Sequence, residues 1–119
     1  MVSNSSLRGE RLLLKSVYPL RVKGESMRPL LRDGALIAAM RVDPGTMLRV
    51  GDVVVARRPD RPGVAIVKRI LAIDQQGMVF LDGDNAAAST DSWTFGPVSR
   101  DLILARARWR YWPLPIRRL

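Results

Sequence analysis

Apolar residues along this chain come in short runs broken by glycine, proline and aspartate, not in long stretches of helical period. The runs at Leu20–Val22, Ala35–Met40, Asp52–Arg57, Val64–Ile73, Met78–Leu81 and Leu102–Trp112 predict strands. Turn signals separate them at Asp33-Gly34, Asp43-Pro44-Gly45, Val50-Gly51-Asp52, Arg61-Pro62-Gly63, Gln76-Gly77 and Gly83-Asp84-Asn85. No long amphipathic helix is visible, and Ser26–Arg32 predicts a single helical turn with Ser26 near its start. The expected fold is mostly β with little helix: a small, coiled antiparallel sheet or partly open barrel. Residues 1–19 are expected to be a partly flexible N-terminal segment, and residues 113–119 an extended basic tail.

Two strands carry more than their pattern. In Val64–Ile73, period-2 alternation puts Lys68 on one face with Val64, Ile66, Ile70 and Ala72, and Arg69 on the other with Ala65, Val67, Leu71 and Ile73. A strand that is apolar on both faces is normally buried on both, so Lys68 is a candidate buried amine. In the last strand Arg106, Arg108 and Arg110 alternate with Ala105, Ala107, Trp109 and Tyr111, which predicts an edge strand with a basic outer face. Interleaved arginine and aromatic residues could also stack on single-stranded nucleic acid or sit at a membrane interface. The edge strand is the simpler reading. No nucleic-acid partner is therefore expected, while peripheral membrane contact and oligomeric state stay open.

Composition narrows the chemistry. The 119 residues suit one domain, and 47% apolar content is enough for a modest core. There is no cysteine and no histidine, which excludes disulfides, thiolate nucleophiles, zinc-thiolate sites and any triad that uses imidazole. No dense carboxylate cluster offers an all-oxygen metal site, and no cofactor is expected. Net charge is +9, from 20 Lys and Arg against 11 Asp and Glu, which favours anionic partners without choosing among them. Only three of the basic residues are lysines (Lys15, Lys23 and Lys68). Arginine does not deprotonate near neutral pH, so Lys68 is the one cation placed to act as a base: burial favours a neutral amine, which can take a hydroxyl proton. Nowhere does an apolar run reach the ~20 residues of a membrane span, and the cytoplasm is the expected compartment.

Four motifs occur in order: Gly24-Glu25-Ser26-Met27-Arg28-Pro29; Gly51-Asp52 with Val54; the apolar strand ending in Lys68-Arg69; and Gly83-Asp84-Asn85, followed by Ser89, Asp91-Ser92 and Gly96-Pro97-Val98. Together they resemble signal peptidase I across residues 20–112. The resemblance implies a signal peptidase/LexA-like β-fold and a peptidase domain over that span. It makes Ser26 the nucleophile and Lys68 its general base. Ser89 is implied to orient the lysine, and Asp84, Asp91 and Arg69 to form charged pairs beside the site. Met27 is implied to contribute to the substrate groove, and the Ser26 backbone N–H to serve as an oxyanion-hole donor. Gly24 replaces a serine common in bacterial members, as in the mitochondrial inner-membrane relatives, and Trp93 replaces an arginine. The partner would be a precursor protein or peptide bound as an extended strand. Without an N-terminal anchor, the chain looks most like the nickel-type superoxide dismutase maturation proteases, where nickel belongs to the substrate. LexA-like self-cleavage is less suitable, because the residues ahead of Ser26 are too few for a DNA-binding domain.

Overall fold

Eight strands form among the residues that the computed structural model describes, which are 1–3, 16–85, 87 and 96–119. They are β1 (Val2–Ser3), β2 (Val17–Val22), β3 (Leu36–Arg41), β4 (Val53–Arg58), β5 (Arg61–Ile73), β6 (Val79–Asp82), β7 (Ile103–Trp112) and β8 (Arg117–Arg118). A 3₁₀ turn at Arg100–Leu102, capped by Ser99, leads into β7. Every pairing is antiparallel, in the order β1-β2-β3-β7-β4-β5-β6, with β8 also on β7. Irregularities of register recur between β3 and β7, β4 and β7, β4 and β5, and β5 and β6. Such bulges bend a sheet and raise its twist, and here the sheet coils into a half-barrel.

Coiling gives β4 and β5 two buried faces. Val53, Val55 and Val67 join a cluster with Tyr18, Leu20 and Ile37 from the β2–β3 side. Val54, Ala56, Ile66 and Ile70 join a second cluster with Val79, Leu81 and Ile103. The aliphatic runs of β4 and the middle of β5 are thus used on both sides, while Leu71–Ile73 at the end of β5 are exposed.

Several sequence expectations are corrected. β7 is not an edge strand: it lies between β3 and β4, and its half from Ile103 to Ala107 buries alternate residues. Arg61-Pro62-Gly63 is not the hairpin turn. The turn falls at Pro59-Asp60, held by Arg58, whose guanidinium donates to both Asp60 carboxylate oxygens at 2.9 and 2.7 Å. The extra residues enter β5 as a bulge between the pairs Arg57↔Ala65 and Arg58↔Arg61. The segment after Trp112 folds back: Arg117 and Arg118 pair with β7, and the Leu119 N–H donates to the Arg108 carbonyl at 2.8 Å. Parts of the first 19 residues also join the sheet, as β1 and the start of β2.

Leu20→Ala in the first cluster and Leu81→Ala in the second remove side chains that are 1% and 0% exposed. Each is expected to lower stability by about 2–5 kcal/mol in urea denaturation. Fluorescence and circular dichroism transitions should coincide for both variants if the two clusters unfold as one unit.

Candidate active site

Between β2 and β3 the chain makes a loop that carries Ser26. Its neck is closed by backbone bonds: the Val22 N–H donates to Ala35 O and the Gly34 N–H to Val22 O, both at 2.8 Å. Gly24, two residues before Ser26, has φ of +92°, a conformation open to glycine at little cost. Its N–H donates to Asp33 Oδ1 at 2.8 Å, tying the two ends of the loop together. After Ser26 the chain makes a helical turn, with the Leu31 N–H donating to Met27 O at 2.8 Å. Met27 and Leu31 both lie in the core at 0% exposure and anchor the loop from below. Ser26 itself stays partly exposed.

Lys68 reaches the same place from β5. It sits opposite Val54 on the face shared with Ile66 and Ile70, and is 3% exposed, the one buried charged residue among those described. Lys68, Ser26 and Gly24 line one cleft of about 210 Å³. Val64 and Ile66 form an apolar side, while Lys23, Glu25 and Arg58 give it a polar rim. Met1 closes it further, and its α-amine is pushed down to about 6, by burial first and by the Lys68 charge second.

A second set of contacts holds loop and strand in register. Arg69 points away from Lys68, and its Nε and Nη2 donate to Asp84 Oδ1 and Oδ2, each at 2.8 Å. Its Nη1 donates to the Gly51 carbonyl at 2.8 Å. Hydrogen bonding to Asp84 raises the Arg69 guanidinium above its ordinary value. The next residue, Asn85, donates its backbone N–H to the Ser26 carbonyl at 2.8 Å and its side-chain amide to the Glu25 carbonyl at 3.1 Å. A continuous chain of contacts therefore runs from β5 through Asp84 and Asn85 to Ser26. The Ser26 carbonyl is engaged, whereas its N–H has no acceptor among the described residues.

Residues 5–98 match the family model described as Peptidase S24-like. The chain belongs to the Peptidase S24-like family. Among curated relatives, mitochondrial inner membrane protease subunit 1 of Xenopus tropicalis is 32% identical over 111 residues, covering 76% of this chain and 66% of that protein. Mitochondrial ATP-independent inner membrane protease subunit 1a of Arabidopsis thaliana is 35% identical over 115 residues, covering 77% and 68%. The subunit 1 protein of Schizosaccharomyces pombe is 34% identical over 112 residues, covering 77% and 71%. The chain spans about two thirds of the length of these relatives.

Against this S24-like frame, the structure brings Ser26 and Lys68 to one cleft and joins Arg69 to Asp84. Ser89, Asp91 and Trp93 lie outside the described residues. Met27 has no exposed surface and packs in the core cluster that also holds Val2 of β1. Asn85 carries no role in the resemblance. Its signal is only its place in the Gly83-Asp84-Asn85 motif, since its partners lie 59 and 60 residues away. Among the described residues no group of His, Cys, Asp or Glu could hold a metal ion.

The Arg69 side chain is 37% exposed and that of Asp84 18%. A double-mutant cycle with Arg69→Ala and Asp84→Ala is expected to give a coupling of about 1 kcal/mol, at the upper end for exposed pairs because the contact is bidentate. Urea denaturation of the four proteins measures it, and a coupling near zero would make the fork dispensable to stability.

Proposed function

We propose that this protein is a serine endopeptidase in which Ser26 is the nucleophile and Lys68 the general base. The observation that carries this reading is the cleft shared by a partly exposed serine and a buried lysine that come from separate elements of the fold. A neutral Lys68 amine accepts the Ser26 Oγ proton as the oxygen attacks a scissile carbonyl. The Ser26 N–H, which has no acceptor among the described residues, donates to the oxyanion of the tetrahedral intermediate. The lysine then returns its proton to the leaving amine, and water attacks the acyl-enzyme with Lys68 again as base. Ser89 is proposed to orient the amine, and Asp91 to support the charged pair beside the site.

The substrate is proposed to be a precursor protein that loses a short N-terminal leader, with a nickel-type superoxide dismutase as the first candidate. Relatives named as inner membrane proteases support proteolysis as the reaction class. Co-expression with a dismutase precursor, read by mass spectrometry of its N-terminus, is expected to show leader removal by the wild type. Ser26→Ala and Lys68→Ala should each lower that rate by at least ~10³-fold. Lys68→Arg should be equally inactive, since arginine keeps its proton. Removal that persists in any of the three variants would refute the dyad.

A second, compatible reading rests on the end of β7 and the segment after it. Trp109, Trp112, Leu114 and Ile116 are exposed there, beside four arginines at 108, 110, 117 and 118, and residues 102–119 contain no acid. We propose that this surface meets anionic lipid headgroups, where tryptophan and arginine are both favoured. The protein should sediment with vesicles rich in phosphatidylserine and not with phosphatidylcholine vesicles. Equal sedimentation with both would count against a charge-based contact.

A further inference from the structure

β1 lies where an incoming peptide would have to go. It is the edge strand of the sheet and pairs with the end of β2 through Val2↔Val22 and Ser3↔Arg21. Beyond that ladder Met1 and Lys23 exchange two more bonds: the Lys23 N–H donates to Met1 O at 2.7 Å, and the Met1 nitrogen donates to Lys23 O at 3.1 Å. Lys23 is three residues before Ser26, and Met1 lines the cleft with Ser26 and Lys68. β1 also lies in contact with β5, the strand that brings Lys68. Val2 is 5% exposed and anchored in the main core. A peptide that adds as an extended strand beside the Ser26 loop needs the backbone groups of Arg21–Lys23, which β1 already uses. Both cannot occupy that edge together.

We infer that β1 is a tethered occupant of the peptide-binding edge, which keeps that edge filled until a substrate strand displaces it. This rests on the cleft being the peptidase site proposed above. The occupant runs antiparallel to β2, so Met1 and not Ser3 lies nearest Ser26. Among the described residues two strand residues, the Met1–Lys23 bonds, one aliphatic anchor and the contact with β5 hold it, few interactions for an element of a sheet, so it opens readily. As part of the same chain it competes at an effective concentration on the order of millimolar. Peptides that bind only through the edge are outcompeted, whereas a precursor with further contacts enters. The device therefore filters substrates at the step of strand exchange.

The chain has no cysteine, so Ser3→Cys with Arg21→Cys introduces a single disulfide across paired residues and locks β1 in place. Oxidation is expected to lower precursor cleavage at least tenfold, and reduction to restore it; restoration shows that the fold was intact. Deleting residues 1–3, or substituting Val2→Asn, should lower KM about tenfold, and Val2→Asn, outside the cleft lining, should leave kcat within about twofold, since the edge is then open more of the time. A third readout does not need catalysis. In a Ser26→Ala background, a fluorescent peptide with the sequence of residues 1–6 should bind the deleted or Val2→Asn protein at least tenfold more tightly than the otherwise unaltered chain, by anisotropy. If no form cleaves any precursor yet the peptide still discriminates, the peptidase reading fails and the occupied edge stands. An oxidised protein that cleaves as fast as the reduced one, or a peptide that binds all forms equally, overturns the inference.

Discussion

Arg69 leaves β5 on the face opposite Lys68 and grips three oxygens at once, both from Asp84 and one from Gly51. That guanidinium ties the strand carrying the lysine to the turn before β4 and to the segment after β6. Asp84, fixed in this way, delivers Asn85 to the carbonyls of Glu25 and Ser26. Strand pleating makes the arrangement possible, because adjacent residues must point to opposite faces. One residue enters the buried face as a candidate base, and its neighbour positions from outside the loop that must meet it. Lysine could not replace Arg69: its single ammonium lacks the planar set of donors that reaches two carboxylate oxygens and a carbonyl together.

The buried position of Lys68 follows from the coiling of the sheet. In a flat sheet one face of β5 would meet water, and the amine would reach solvent along its own stem. Coiling places a second hydrophobic cluster over that face, with Ile66 and Ile70 on either side of the lysine and Val54 opposite it. The bulges that bend the strands therefore contribute to the chemistry as well as to the shape. The cleft is where this cover stops: the apolar wall ends at Val64 and Ile66, and the polar rim begins with Arg58, Glu25 and Lys23.

What could be read from the sequence was whatever is written in local pattern. The six long strands follow from aliphatic runs, to within a few residues at most ends, and Lys68 stands out because it interrupts one face of a run that is apolar on both. What could not be read depends on distant partners. β1 and β8 are two residues each, too short to show alternation, and exist only because β2 and β7 offer them edges. The position of β7 inside the sheet was hidden by its arginines, which mimic an edge. Arg106 is in fact absorbed by Asp52 at 3.6 Å and by the Met47 carbonyl at 3.2 Å. The burial of Met27 was hidden for a similar reason: its neighbour in sequence faces the cleft, but a helical turn rotates the methionine into the core.

A site that binds peptides by strand addition has a structural difficulty of its own. The edge that recognises substrate also exposes unpaired N–H and C=O groups to any other extended chain, and such edges invite aggregation. β2 ends at the Ser26 loop, so its edge cannot be buried permanently without closing the cleft. A short strand from the same chain resolves the conflict. β1 satisfies the backbone of Arg21, Val22 and Lys23 and fills an aliphatic site with Val2, yet it is too short to hold that edge against a longer competitor. Protection of the edge and access to the cleft then become two states of one small element. The balance between them is set by Val2, the core anchor of the strand whose Met1 lines the cleft.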